Sequence, residues 1–298
     1  MPWPEADIAV NESVVRSLVR EQFPSFGHES FSHVVDGFDN SLWRVGDALV
    51  ARLPRRRTAI RLLENEVRWL PELSTRLPVP TSAPLYVGQA TDEYPSPWVL
   101  SRWFDGETLD TATLHSDDET AVVLGRFLCA LHHRAPSDAP TNPFRGVPLR
   151  SRTDAFEERL SILGARVDAA LIRRVWDATS TAEPWTSPPV WIHGDLHPAN
   201  LVAQGGCLSA VVDFGDMCAG DPATDLAGAW MLLPESAIEL LLTTYGVGDV
   251  DRALVQRSLG WALLFGLFFV ELGLRDRTSY FDVGVSTIRR VCDSRYLT

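Results

Sequence analysis

Within residues 193–221, HGDLHPANLVAQGGCLSAVVDFGDMCAGD, three side chains could do chemistry together: Asp195, Asn200 five residues later, and Asp213 at the head of Asp213-Phe214-Gly215. The order H-x-D-x-x-x-x-N followed by D-F-G serves phosphoryl transfer. The first Asp orients the attacking hydroxyl, while the Asn and the second Asp hold the metals that bridge the nucleotide phosphates. The residue types suit those tasks, since a carboxylate can take or orient a proton. Carboxylate and amide oxygens are the hard donors that magnesium prefers, and that ion binds through few protein groups. Asp195 is therefore the candidate catalytic base, and Asn200 and Asp213 are the candidate magnesium ligands. His193 titrates near neutrality when free, but at a strand end it is better read as a packed support. His197, inside the loop, is the histidine better placed to touch a substrate, although a packed role suits it equally.

These residues must be delivered by strands. Val190 to His193 reads as a short strand leading into the loop, and Gly205-Gly206 as the turn of a hairpin whose second strand, Leu208 to Val212, carries Asp213. Upstream, Phe31 to Val35, Ser41 to Val45 and Ala48 to Leu53 are short β-branched and aromatic runs separated by Asp36–Asn40 and Gly46-Asp47, hence successive antiparallel strands. Ile60, Leu63, Val67 and Leu70 recur at helical steps over Thr58 to Leu73, and Pro78 and Pro80 close that segment. Leu85 to Gly88 and Trp98 to Phe104 give two more strands. After residue 104 the pattern turns helical: Asp117 to His133, then Arg152 to Ser180 beyond a Pro-rich loop at 136–148, then most of 221–291. The expected architecture is α+β, with a small antiparallel-sheet lobe over 1–103 and a larger, mainly helical lobe over 104–298.

Composition removes several mechanisms. All 27 basic residues are Arg and none is Lys. A P-loop needs its Lys and Schiff-base chemistry needs an amine, so neither operates here. Residues 1–103 carry 11 Arg against 13 acidic residues, and 104–298 carry 16 against 26. That field repels nucleic acid and draws cations toward the larger lobe, although an ordinary acidic surface accounts for the same charge. Cys129, Cys207, Cys218 and Cys292 form no C-x-x-C pair, which argues against a zinc site and a disulfide framework. The first ten residues lack a basic segment followed by an apolar run, and the most apolar stretch, Leu259 to Val270, is shorter than a membrane span. A cytoplasmic protein without membrane association is expected, as a monomer or homodimer.

HGDLHPAN, VVDFGD and GDPATDLA, in this order and spacing, resemble the aminoglycoside phosphotransferase family of kinase-like small-molecule kinases. The likeness extends to DGFDNSLWRVGDALVARLPRR, similar to the family's nucleotide-covering hairpin and third strand, to LENEVRWLPELSTRLPVP and to LGRFLCALH. The resemblance implies a protein-kinase-like bilobal fold, ATP or GTP as phosphoryl donor, Asp195 as base, and Asn200 and Asp213 as metal ligands. It also implies that Asp225 holds the catalytic loop through backbone hydrogen bonds. Gly194 stands where protein kinases place Arg, as is usual in this family, and no A-P-E segment follows, so control by an activation loop is not expected. At the third-strand Lys position the chain has Arg52, with Glu66 as its ion-pair partner. Macrolide kinases of the family similarly carry Arg before an apolar-Pro step, and a guanidinium can hold a phosphate and a carboxylate at once. Asn40 and Ser41, at the hairpin, could cover phosphates, although a plain β-turn explains them too. Ser101 and Trp103 fall in the expected base-recognition hinge. Arg55-Arg56-Arg57 reads either as an extension of a phosphate patch or as solvated surface.

The expected reaction is phosphoryl transfer to a hydroxyl of a small molecule, an antibiotic before others. A polycationic aminoglycoside suits the acidic lobe, with Asp216, Asp221, Glu235 and Glu271 as candidate amine contacts, although a surface or helix-cap role accounts better for any one of them. A macrolide is favoured by V-A-R-L-P-R-R and by Trp261 to Phe269, a run that also reads as core. An amino-alcohol or sugar kinase, and a non-catalytic nucleotide-binding pseudokinase motivated by the missing Lys, complete the alternatives.

Overall fold

The computed structural model describes residues 5–246, 251–275 and 278–297. Parts of the expected helical stretch 221–291, namely 247–250 and 276–277, lie outside the described residues, as do the first four. The chain divides into two compact units. One holds the residues up to Arg76, Pro80–Asp105 and Asp213–Gly215; the other holds Leu77–Val79, Gly106–Val212 and the chain from Asp216.

In the first unit, Asn11 caps helix α1 (Glu12–Gln22) by accepting the Val14 N–H at 3.1 Å, and Val14, Val15, Leu18 and Val19 form its buried stripe. Strands β1 (Phe31–Asp36), β2 (Asn40–Val45) and β3 (Leu49–Pro54) follow, then helix α2 (Arg57–Ser74) and strands β4 (Pro84–Gly88) and β5 (Trp98–Arg102). They make one antiparallel sheet in the order β1-β2-β3-β5-β4. Strand β3 is buried along its whole length. Arg52 sits mid-strand there, facing Leu42 on β2 and Val99 on β5. The α1 stripe shares a core with Trp43, Val45, Ala51, Leu53, Tyr94, Trp98 and Leu100. On α2 the buried row is Ala59, Leu63, Glu66, Leu70 and Leu73, so helical periodicity places one carboxylate in an otherwise apolar row. This helix continues past Pro71 to Ser74, giving up one backbone hydrogen bond near its end instead of stopping.

The second unit opens with the short strand β6 (Glu107–Thr108) and α3 (Asp117–Leu131), capped by Ser116. The helical segment expected at 152–180 is two helices, α4 (Thr153–Leu163) and α5 (Ala169–Ser180), because Gly164 takes φ +53° and turns the chain. Strands β7 (Val190–Ile192), β8 (Leu201–Gln204), β9 (Cys207–Val211) and β10 (Cys218–Gly220) carry the loops of interest. They pair as β10-β7 and as β6-β8-β9. Helices α6 (Ala223–Leu232), α7 (Glu235–Tyr245), α8 (Arg252–Gly273) and α9 (Thr278–Cys292) complete the unit. Helix α8 is long and apolar enough to cross a membrane by length and composition, yet 83% of its most apolar 18-residue window is buried inside the protein. It is a core helix, with Trp261, Leu263, Leu267 and Phe269 buried around it.

Candidate active site

The loop after β7 is pinned by one buried carboxylate. Asp225, in the first turn of α6 and fully buried, accepts the backbone N–H of His193 at 2.6 Å and of Gly194 at 2.8 Å. It also meets His132 Nε2 at 3.1 Å, while His132 Nδ1 lies 2.8 Å from the Tyr245 hydroxyl. An imidazole that donates to Asp225 accepts from the phenol, and burial pushes the Tyr245 phenol pKa up, keeping it a donor. The role that the resemblance gives to Asp225 is thus visible as hydrogen bonds. His193 is equally committed: its buried ring donates from Nε2 to the Val212 carbonyl at 3.0 Å and accepts the Asp195 N–H on Nδ1 at 3.2 Å. Gly194 adopts φ +83°, and a Cβ there would stand 2.4 Å from the Asp216 carbonyl oxygen, so no larger residue fits.

The Asp195 carboxylate is partly open to solvent, with its side chain 29% exposed. Arg145 Nη2 donates to Oδ1 at 3.0 Å, and His197 Nε2 lies 3.3 Å from Oδ2. Burial works against ionisation here, but His197 and Arg145 outweigh it and hold the carboxyl well below the usual range. Arg145 also faces Asp216 at 3.6 Å, whose Oδ1 accepts from Asn142 Nδ2 at 2.7 Å. Sequence reading missed Arg145, which stands in the Pro-rich loop at 136–148 with no motif around it.

Asn200 donates Nδ2 to the Asp195 carbonyl at 2.9 Å, which leaves Oδ1 free to accept. Gly205 and Gly206 take φ +59° and +77°, the doubly left-handed turn of a two-residue hairpin, and β8 and β9 pair from Leu201–Val211 onward. The Val212 N–H reaches the Asn200 carbonyl at 2.9 Å, so the hairpin brings Asn200 opposite the residue that precedes Asp213.

Asp213 belongs by its contacts to the first unit. It is a non-glycine residue at φ +62°, and its N–H donates to Ser82 Oγ at 3.2 Å. Its side chain is 55% exposed and lies 3.7 Å from Arg52 Nη2. Arg52 makes a two-point fork with Glu66, Nη1 to Oε2 at 2.7 Å and Nη2 to Oε1 at 2.8 Å, both partners being buried. Burial alone would loosen the guanidinium's proton; Glu66, aided by Asp213, more than offsets this, so Arg52 is permanently charged. Among the described residues no cluster of three or more His, Cys, Asp or Glu could hold a metal ion by itself. The Asn200 amide oxygen and the Asp213 carboxylate are each a hard donor of the kind magnesium takes.

The remaining sites expected from sequence separate. Asn40 Oδ1 is buried without a hydrogen-bond partner. Ser41 is buried and its hydroxyl is engaged inside the hairpin, donating to Asp36 at 2.6 Å and accepting from Trp43 Nε1 at 3.0 Å. Ser101 is fully buried on β5. Trp103 donates Nε1 to Asp105 at 2.9 Å beneath the Arg44 guanidinium. Arg55 and Arg56 are tied into the hairpin: they clasp the β1–β2 turn through the Gly37 carbonyl at 3.1 Å and the Asp39 carboxylate at 3.1 Å. Arg57 starts α2, its N–H held by Asp7.

All four carboxylates expected to meet amines already face arginine. Asp221 is buried against Arg257 at 2.7 Å, Glu235 pairs with Arg295 at 3.1 Å and Glu271 with Arg275 at 3.3 Å; Asp216 faces Arg145. The acidity of the larger half is therefore not gathered into a free amine-binding surface by these residues.

A small antiparallel sheet with its Arg–Glu pair and the D-F-G segment in the same unit, and a helical unit with a pinned H-x-D loop, define a kinase-like phosphotransferase. Residues 30–256 match the phosphotransferase enzyme family, APH, and the chain belongs to that family; it is a small-molecule kinase. Solved structures of the same fold include APH(2")-IIia in complex with GDP and kanamycin, with TM-score 0.70 and 21% identity over 94% of this chain and 98% of that one. They also include the apoenzyme of macrolide 2'-phosphotransferase MphH from Brachybacterium faecium, with TM-score 0.61 and 19% identity over 93% and 97%. The streptomycin-ATP-APH(2")-IIa ternary complex gives 0.59 and 16% over 94% and 97%. At these identities the likeness is one of fold. No curated protein matches the chain in sequence.

Proposed function

We propose that the protein transfers the γ-phosphoryl group of ATP or GTP to a hydroxyl of a small molecule in the cytoplasm. The observation that carries this reading is the pinned loop, in which Asp195 is held ionised and Asn200 is left with an oxygen to offer. In the step, the acceptor oxygen forms a bond to the γ-phosphorus, the bond to the bridging β–γ oxygen breaks, and nucleoside diphosphate leaves. The hydroxyl proton, oriented by Asp195, passes to that carboxylate late in the step and from there to solvent. Because its positive neighbours make Asp195 a weak base, orientation is its larger contribution, as a loose phosphoryl-transfer transition state requires. Asn200 and Asp213 would each offer magnesium a hard oxygen, and the ion when bound neutralises charge on the phosphate oxygens. Arg52, fixed by Glu66, has N–H groups left over for a nucleotide phosphate.

Antibiotics are named for the neighbouring structures, and by kinship they are the first acceptors to test. The engagement of Asp216, Asp221, Glu235 and Glu271 by arginines weighs against a polycation. The test is nucleotide consumption with Mg-ATP and Mg-GTP against kanamycin, erythromycin, amino alcohols and sugars. Asp195→Ala is expected to lower kcat by roughly 10³-fold while nucleotide affinity stays within about twofold. An Asp195→Ala protein as active as wild type would remove Asp195 from its role. Nucleotide binding without turnover of any acceptor or Asp195-dependent hydrolysis would leave a pseudokinase.

A further inference from the structure

Next to Asp195 the second unit presents arginines and aromatic rings. Arg145, which touches Asp195, lies 5.0 Å over the Phe265 ring; Arg159 on α4 lies 5.0 Å over Phe268, and Arg152 lies 5.1 Å over Phe144. Phe265 and Phe268 stand one turn apart on α8, so that helix carries the rings under Arg145 and Arg159. On the residue after Phe268, buried Phe269 packs on His197 at 4.8 Å and on Tyr280 at 4.7 Å.

The three guanidiniums are not equally compensated. Arg145 has Asp195 and Asp216. Arg159 donates to the Ala155 carbonyl at 3.0 Å and feels Glu271 and Glu158. Arg152, among the described residues, has no carboxylate partner; burial, then Arg145 and Arg159, lower its affinity for its own proton. All three arginines keep a buried Nε with no hydrogen-bond partner. Mutually repelling guanidiniums with unused donors cost free energy unless an anion joins them. A forked guanidinium is the group that binds carboxylate or phosphate at two points.

We propose that the acceptor is an anionic alcohol: a small molecule with a hydroxyl for Asp195, an oxyanion for Arg152 and Arg159, and a flat or apolar body against Phe144 and Phe268. This rests on the reading of Asp195 as the hydroxyl-orienting group. It goes against the cationic acceptor that the net charge suggests, because what a ligand meets is the local field and not the sum over the chain. Arg145 serves as a positioning residue, holding the Asp195 carboxylate while the oxyanion binds at Arg152 and Arg159.

The test measures turnover with Mg-ATP and Mg-GTP against glycerate and 4-hydroxymandelate as hydroxy acids, glucose 6-phosphate as a phosphorylated sugar, glycerol as a neutral alcohol, and kanamycin as a cation. The expected result is turnover greatest with an anionic acceptor. Arg152→Gln and Arg159→Gln should each raise that acceptor's KM by about tenfold, leaving kcat and nucleotide KM within about twofold; Arg152→Lys should recover part of the loss. Hydroxy acids turned over and glucose 6-phosphate not would make the oxyanion a carboxylate, and the reverse a phosphate. Faster turnover of kanamycin or glycerol, or anion KM values that neither variant moves, would overturn the proposal. If no acceptor is turned over and nucleotide hydrolysis is independent of Asp195, the phosphotransferase reading has failed. The anion site is then judged by calorimetric titration of the same three anions: binding weakened in both variants supports it, and absence of binding to wild type overturns it.

Discussion

Two buried arginine–carboxylate forks, one in each unit, look alike and differ in what they leave unfinished. Arg257 gives Nε and Nη2 to Asp221 at 2.7 and 3.2 Å and Nη1 to the Glu183 carbonyl at 2.6 Å, while Asp221 also accepts the Ala223 N–H at 3.0 Å. That network is closed. Arg52 and Glu66 are as deeply buried, but Nη2 of Arg52 looks toward the half-exposed Asp213 at 3.7 Å, too far for a hydrogen bond. Burying a charge pair costs desolvation in either case. Where each guanidinium nitrogen has a partner inside the unit, the pair serves the fold; where a donor remains beside an exposed carboxylate, it can serve a ligand.

Breaking each pair should separate the two roles. Arg257→Leu leaves Asp221 charged and buried, so unfolding free energy should fall by about 3–5 kcal/mol. Chemical denaturation measures that loss, and kcat and both KM values of the folded fraction should stay within about twofold. Arg52→Ala removes both hydrogen bonds of the fork from buried Glu66 and should cost stability on the same scale. It should also raise the nucleotide KM by roughly tenfold or more, the worth of a charge-assisted hydrogen bond. Equal kinetic effects from the two substitutions would abolish the distinction.

Removing both charges of a pair sharpens it further, because a buried pair can often be replaced by neutral groups at little cost. Arg257→Met with Asp221→Asn keeps an acceptor for the Ala223 N–H and should recover most of the stability lost in Arg257→Leu. Arg52→Met with Glu66→Gln should likewise recover stability in the same denaturation assay. Its nucleotide KM should remain as high as that of Arg52→Ala, since the phosphate-binding donor is gone.

What the sequence made legible follows from how local each signal is. The strands of the first sheet, the Gly205-Gly206 hairpin and the apolar rows of α2 and α8 were readable because their periodicity or turn chemistry lies within a few residues. So was the Arg52–Glu66 fork, once the motif supplied a partner 14 positions away. Helix α1 went unread although Asn11 and the stripe Val14, Val15, Leu18 and Val19 announce it in the same local terms. Arg145 is different. It reaches Asp195 from a loop 50 residues earlier in the chain, and nothing around it in Pro143-Phe144-Arg145-Gly146 signals a partner. The arginine partners of the four candidate amine contacts were illegible for a related reason: composition counts charges but cannot show that each carboxylate faces an arginine.

The smallest change tests whether the open pair depends on arginine or only on a positive charge. This chain has no lysine anywhere, and Arg52 stands where protein kinases place one. Arg52→Lys keeps the charge and one hydrogen bond to Glu66 but loses the planar fork, so a single ammonium must choose between the carboxylate and a phosphate. Stability should fall by only about 1 kcal/mol, the size of one buried hydrogen bond, and the nucleotide KM should rise a few-fold with kcat little changed. An increase as large as that of Arg52→Ala would mean that geometry carries the effect. An unchanged KM would mean that charge at this place on β3 suffices, and that the fork with Glu66 serves the fold alone, as the closed pair of Arg257 and Asp221 does.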